Sequence, residues 1–236
     1  MKYDYSKVII ALDTPDEQKA LDTVRLLKNK VSIFKVGLEL FCSQGPEIVK
    51  KINTEGCKVF LDLKFHDIPN TVAGAARAAL STQAFMFNVH ASGGREMMRK
   101  VREKIDKAHI AEKPIILAVT VLTSLDETDL KDINISKSPL EQVKSLALMT
   151  KESGLDGVVA SPKEISAIRE AVGQDFIIVT PGVRPTWATA GDQKRIMTPA
   201  QALDAGASYI VVGRPVTAAS DPVAALDKLF CGAWHH

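Results

Sequence analysis

Eight short runs of apolar, mostly β-branched residues recur along this chain, most of them followed by a longer stretch of helical spacing, and few folds accommodate that alternation. The runs are Val8–Asp13, Ile33–Gly37, Lys58–Lys64, Phe85–Ala91, Ile115–Thr123, Gly157–Ser161, Phe176–Gly182 and Tyr209–Arg214. Near-continuous apolar runs of this length suit parallel strands buried on both faces. Residues 15–30 open after Thr14, a candidate N-cap, with Pro15 at the first helical position and acids in the first turn. Residues 94–109 and 162–173 place apolar side chains three and four apart, with charge on the other face. Eight strands alternating with helices predict a closed α/β architecture, a (β/α)8 TIM barrel of parallel strands. An open doubly wound sheet is the alternative, but no GxGxxG follows the first strand.

A chain of 236 residues is the right size for one such barrel, here expected to span 1–236 with no linker or low-complexity stretch. The formal net charge of +2 is spread along the chain, so a nucleic acid or another polyanion is not an expected partner. An aromatic content of 6% also argues against stacking platforms for single-stranded nucleic acid. Cys42, Cys57 and Cys231 are too few and too scattered for a disulfide scaffold or a zinc site, and read as reduced thiols. The apolar run after Met1 is too short for a signal peptide and ends in Asp13. No later segment reaches the roughly 18 apolar residues of a membrane span, so a cytoplasmic enzyme is expected. The terminal His235 and His236 are assigned no role.

Polar residues gather at the strand ends: Asp13, Lys35, Asp62 with Lys64, His90, Thr123, Ser161, Arg184 and Arg214. In a parallel barrel these positions converge on one rim, where such barrels place their chemistry. Any one could be an ordinary strand terminator. Crowding so many charges on one rim costs electrostatic free energy unless a ligand uses them.

The segment Leu61–Thr71, LDLKFHDIPNT, is the most informative. Asp62 and Lys64 are two apart on a strand and should leave the same face. Asp67 follows just past the strand, near a helix begun by Pro69. Its bland role is to cap that helix, as the bland role of Asp62 and Lys64 is a surface ion pair. If neighbouring strands bring Lys35 alongside, the rim alternates in sign as Lys35–Asp62–Lys64–Asp67. A lysine whose ordinary pKa is about 10.4 tends to lose its proton when buried alone, and flanking carboxylates oppose that loss. Lys64 is therefore read as a proton donor able to stabilise and then protonate a carbanion. A Schiff base would need the neutral amine, which those carboxylates disfavour.

The loops after the seventh and eighth strands, where these barrels commonly hold phosphate, read Thr180–Pro185 and Val212–Pro215. Gly182 and Gly213 allow the backbone close to an anion, and Arg184 and Arg214 offer planar forks of donors. Between them, Thr186–Pro199 is rich in small residues and suits a lid over bound phosphate, with Gln193 reaching the ligand. An ordinary surface loop is the other reading of that stretch.

Taken together, ALD at the first strand, KVG at the second, DLKFHDIPNT at the third and NVHASGG after the fourth make the chain resemble the orotidine 5′-monophosphate decarboxylase family, prokaryotic monofunctional type. LTS at the fifth, PGVRP at the seventh and VGRP at the eighth extend that likeness over nearly the whole sequence. The resemblance implies conversion of orotidine 5′-monophosphate to UMP and carbon dioxide with no metal and no cofactor. It implies that Lys64 protonates C6 and that Asp62 sits against the departing carboxylate, with Lys35 and Asp67 completing the network. Asp13 and Lys35 would hold the ribose hydroxyls, and Thr123 and Ser124 the pyrimidine edge. Arg184, Gln193, Gly213 and Arg214 would hold the phosphate. It further implies a homodimer in which Asp67 and Thr71 reach the neighbouring subunit's site.

Two rivals remain at this level. One is a magnesium-dependent sugar-phosphate decarboxylase or aldolase of the same superfamily, which resembles this chain in its D-x-K-x-x-D strand. Those enzymes carry an acid near the end of strand two, where Lys35 would repel a divalent cation. The other, of a different class, is a phosphate-binding barrel without catalysis, which would need Arg184 and Arg214 but no charged array.

Overall fold

The computed structural model describes residues 4–188 and 197–230. Eight parallel strands close into a barrel in chain order, with helices in the connections. They are β1 (Val8–Ala11), β2 (Ile33–Gly37), β3 (Lys58–Phe65), β4 (Met86–His90), β5 (Ile115–Val119), β6 (Gly157–Val159), β7 (Ile177–Thr180) and β8 (Tyr209–Val212). Closure comes from β1 lying beside β8, with Ile9 opposite Val211 and Ile10 opposite Val212. Each of the eight apolar runs is thus a strand, and the sheet is the parallel one their composition requires.

Alternation along each strand sorts the core into two layers. Ile10, Phe34, Val59, Phe87, Ile116, Val158, Ile178 and Val212 face outward and pack against the helices. Ile9, Ile33, Phe60, Met86, Leu117, Val159, Val179 and Val211 face inward and fill the barrel itself. The interior is therefore a packed plug. Gly157 shows how tight it is, since a Cβ there would lie 2.2 Å from the Ile177 carbonyl oxygen.

Several strands stop sooner than their apolar runs. The ladder ends at Ala11, Val119, Val159 and Val212, which leaves Asp13, Thr123 and Ser161 in the loops beyond and Arg214 at the start of a short helix. The helix Glu17–Leu27 also starts later than expected: Asp16, not Thr14, is its N-cap, taking the Lys19 N–H at 3.0 Å. Thr14 accepts the Asp16 N–H instead, at 3.3 Å. Pro69 does open the helix Pro69–Leu80. The pair Thr198–Pro199, read with the lid, is the capped start of the helix Pro199–Asp204. Among the described residues no helix is long and apolar enough to cross a membrane, and Cys42 and Cys57 are free thiols.

Candidate active site

The inward alternation that fills the barrel also builds the site. Two residues beyond Ile33, Phe60 and Met86, on the same face of β2, β3 and β4, stand Lys35, Asp62 and Asn88. The apolar plug thus ends in a polar layer at the carboxyl end of the strands.

The charges in that layer are joined. Lys35 Nζ lies 3.0 Å from Asp13 Oδ1 and 3.5 Å from Asp62 Oδ2. Lys64 Nζ donates to Asp62 Oδ1 at 2.7 Å, and Asn88 Nδ2 donates to the same oxygen at 2.7 Å. The side chains of Lys35 and Asp62 are only 12% and 14% exposed, so little water competes with these contacts, whereas Lys64 keeps 31% and faces the opening. Burial pulls the Lys35 ammonium down, but the carboxylates of Asp62 and Asp13 outweigh it and raise the group above its ordinary value. Burial pushes Asp62 up, yet the ammonium groups of Lys35 and Lys64, helped by the Asn88 amide, hold it below the usual carboxylate range.

Lys64 reaches Asp62 by an irregular route. Leu61 pairs with Phe87 and Phe65 with Val89, and the register shifts between them. The Lys64 backbone has φ +51, in the left-handed region that a residue with a side chain seldom adopts. The expected meeting of Asp62 and Lys64 occurs, but across a register shift within β3 and not by plain alternation.

Asp67 stands apart from the three-membered chain Lys35–Asp62–Lys64. It is exposed, and its Oδ1 accepts the Ile68 N–H at 2.6 Å. It caps no helix, because Ile68 occupies the N-cap position of Pro69–Leu80 and makes no side-chain bond there. Thr71, in the first turn of that helix, is exposed too. The alternating tetrad is therefore not assembled within one copy. His66 stacks on His90 with ring centroids 5.4 Å apart, and His90 Nδ1 lies 2.7 Å from Ser92 Oγ. Burial, then the neighbouring His66 and Lys64, hold the His90 imidazole below its ordinary pKa.

At the opposite side of the rim, Gly182 follows β7 with φ +79, a conformation that only glycine adopts without strain. The half-buried Arg184 comes next, donating to the Val183 carbonyl at 3.0 Å. Gly213 precedes the exposed Arg214, which opens the short helix Arg214–Thr217. A Cβ on Gly213 would stand 3.7 Å from Asp13 Oδ2, so the loop after β8 lies alongside the Lys35–Asp13 pair. Thr123 and Ser124 occupy the turn between β5 and the helix Glu127–Asp132, half-buried and exposed respectively. Ser161 is fully buried, with its N–H on the Glu164 carboxylate at 2.9 Å. Gln193 and the central part of the expected lid, 189–196, lie outside the described residues.

Sequence reasoning missed Asn88 as a site residue. The signal was present, a single amide inside the apolar run Phe85–Ala91 at the inward position two beyond Met86.

Residues 6–229 match the model of the orotidine 5′-phosphate decarboxylase / HUMPS family. The chain is 51% identical over 223 residues to the orotidine 5′-phosphate decarboxylase of Hydrogenovibrio crunogenus, covering 94% of each chain. It is 53% identical to that of Moorella thermoacetica over 93% of this chain and 88% of the other. The crystal structure of orotidine 5′-phosphate decarboxylase from Lactobacillus acidophilus superposes with a TM-score of 0.83 at 41% identity, covering 95% of this chain and 97% of that one.

Proposed function

This chain belongs to the orotidine 5′-phosphate decarboxylase / HUMPS family, and from that premise we propose how its own residues divide the chemistry. The reaction is decarboxylation of orotidine 5′-monophosphate to UMP and carbon dioxide, in pyrimidine biosynthesis. Loss of the carboxyl group leaves an electron pair on C6 of the ring, with no carbonyl β to the leaving group to take it up. Stabilisation must come from charge already in position.

The observation that carries this reading is the arrangement around Asp62: one ammonium on each carboxylate oxygen, with Lys64 at 2.7 Å on the more open side. Lys64 is the acid, stabilising negative charge as it develops on C6 and then delivering a proton there. Asp62, buried and held ionised, lies against the substrate carboxylate and disfavours it in the ground state. Lys35 balances Asp62 from behind, and with Asp13 it binds the ribose hydroxyls. Thr123 and Ser124 hold the pyrimidine edge. Arg184, Gln193, Gly213 and Arg214 hold the phosphate, and that remote contact supplies binding energy that the reacting atoms need not provide.

The working unit in this reading is a cytoplasmic homodimer in which Asp67 and Thr71 of one copy complete the site of the other. Their exposure supports it, as does Ile68 between them, a large apolar side chain left 67% exposed. The same arrangement disfavours a magnesium-dependent reading. A divalent ion at Asp13 and Asp62 would have to displace the Lys35 ammonium from both carboxylates.

The test is incubation of the protein in excess chelator with carboxyl-labelled orotidine monophosphate. Release of labelled carbon dioxide with loss of the orotate absorbance is the expected result. Bound substrate with its label retained would leave a binding barrel, and turnover appearing only with added magnesium would return the sugar-phosphate reading.

A further inference from the structure

The irregular stretch of β3 is held by a single side chain from the next strand. Because Leu61 pairs with Phe87 and Phe65 with Val89, the three residues Asp62, Leu63 and Lys64 face Asn88 alone. Backbone pairing cannot serve three residues from one position, so a side chain takes over. Asn88 Oδ1 accepts the Lys64 backbone N–H at 2.7 Å, and Asn88 Nδ2 donates to Asp62 Oδ1 at 2.7 Å. Asn88 is fully buried, so no water substitutes for either bond.

The two bonds fix each other. With Oδ1 committed to an N–H donor, the amide cannot flip, and Nδ2 must point at Asp62. Asp62 Oδ1 then receives two donors, Asn88 Nδ2 and Lys64 Nζ, which ties that carboxylate oxygen to both groups. The other bond holds the Lys64 main chain at φ +51, a strained conformation that persists only where the surroundings impose it.

We propose that Asn88 is a positioning residue for the decarboxylation, an amide clamp that sets where the Lys64 ammonium and the Asp62 carboxylate stand relative to each other. The proposal rests on the reading of Lys64 as the acid. Asn88 touches neither substrate nor reacting atoms in this role; it acts through the two residues it grips.

Two substitutions separate the clamp from a plain core role. Asn88→Ala removes both bonds. kcat should fall about 100-fold, the scale of an ångström-sized misplacement of catalytic groups, while the Kd for UMP stays within about 3-fold, since binding rests on the phosphate end. Asn88→Asp is nearly the same shape and keeps an acceptor for the Lys64 N–H, but it sets a second carboxylate against Asp62. Like charges there disfavour ionisation of both, so the acid limb of the kcat–pH profile should move up by about one unit or more. This variant carries the test should the alanine protein not fold.

Rates are expressed per site titrated with UMP, which removes any contribution from unfolded protein. Unchanged kcat and an unmoved acid limb would overturn the clamp, provided Lys64→Ala measured alongside is inactive. Turnover persisting in Lys64→Ala would instead overturn the assignment of the acid itself.

Discussion

Gly37 and Lys35 share one face of β2, and the Lys35 ammonium occupies the space that the missing side chain of Gly37 leaves open. A Cβ built on Gly37 would stand 2.9 Å from Lys35 Nζ and 3.7 Å from Asp13 Oδ1. The Gly37 backbone, at φ −92, lies in a region open to any residue. The glycine is needed for room, not for conformation. Gly37→Ala should therefore leave the thermal midpoint within a few degrees while lowering kcat/KM about 10-fold, because the added methyl displaces the far end of a flexible lysine from its two carboxylates. Parallel melting curves and steady-state kinetics check this. A large loss of stability with normal kinetics in the folded fraction would contradict it.

Removing Lys64, the proposed acid, separates chemistry from binding. Lys64→Ala leaves Arg184 and Arg214, the proposed grips on the phosphate, untouched, so UMP should bind within a few-fold of its normal affinity. Turnover should fall by more than about 1,000-fold, since the variant loses both proton delivery and the charge opposite the developing carbanion. Calorimetric titration with UMP beside a single-turnover assay measures the two quantities. Near-normal turnover would remove Lys64 from the mechanism.

The barrel was legible in the sequence because strands buried on both faces need nearly unbroken apolar runs, and all eight runs are strands. Their ends were less so. Val121 and Leu122 continue the apolar pattern of β5 beyond Val119, where the ladder stops, and only the neighbouring strand decides that point. Residues 14–16, TPD, offer two capping side chains, and the choice of Asp16 depends on how the chain leaves β1. At the site, the spacing of Asp62 and Lys64 and the placing of Lys35 at a strand end were readable. The left-handed backbone at Lys64 and its grip by Asn88 were not, because they arise from register between strands separated by more than twenty residues. The spacing of Asp67 was equally visible, yet distance along the chain does not say that its side chain stands apart from the Lys35–Asp62–Lys64 chain.

Charge within the Lys35–Asp62–Lys64 cluster gives the fold a pH signature with a definite sign. Asp62 titrates below its ordinary value of 3.8 in the folded protein, so its contribution to stability is present above that value and is lost as pH falls through the folded one. Lys35 titrates above its ordinary 10.5, so its contribution is present below that pH and is lost as pH rises through the folded value. Urea unfolding across the acid range should show stability falling below about pH 4 in the parent protein. The part of that slope due to Asp62 should be missing in Asp62→Asn. Identical slopes in the two proteins would mean that Asp62 is not held ionised by its neighbours.

The exposed carboxylate of Asp67, with no ion pair among the described residues of its own copy, makes a sharp prediction about assembly. If Asp67 serves the partner's site, a Lys64→Ala chain and an Asp67→Ala chain are each inactive as homodimers, for different reasons. Mixed dimers hold one site in which the intact Lys64 of one copy meets the intact Asp67 of the other, and a second site lacking both. Unfolding and refolding an equimolar mixture should form heterodimers as about half of all dimers by random association, with one competent site in each. Relative to parent protein at the same total concentration, activity should recover to about one quarter. Differently tagged chains allow the heterodimer to be isolated, where the expected activity is about one half. An isolated heterodimer no more active than either parent variant would place both residues in the same copy's site, and the exposed position of Asp67 would then need another explanation.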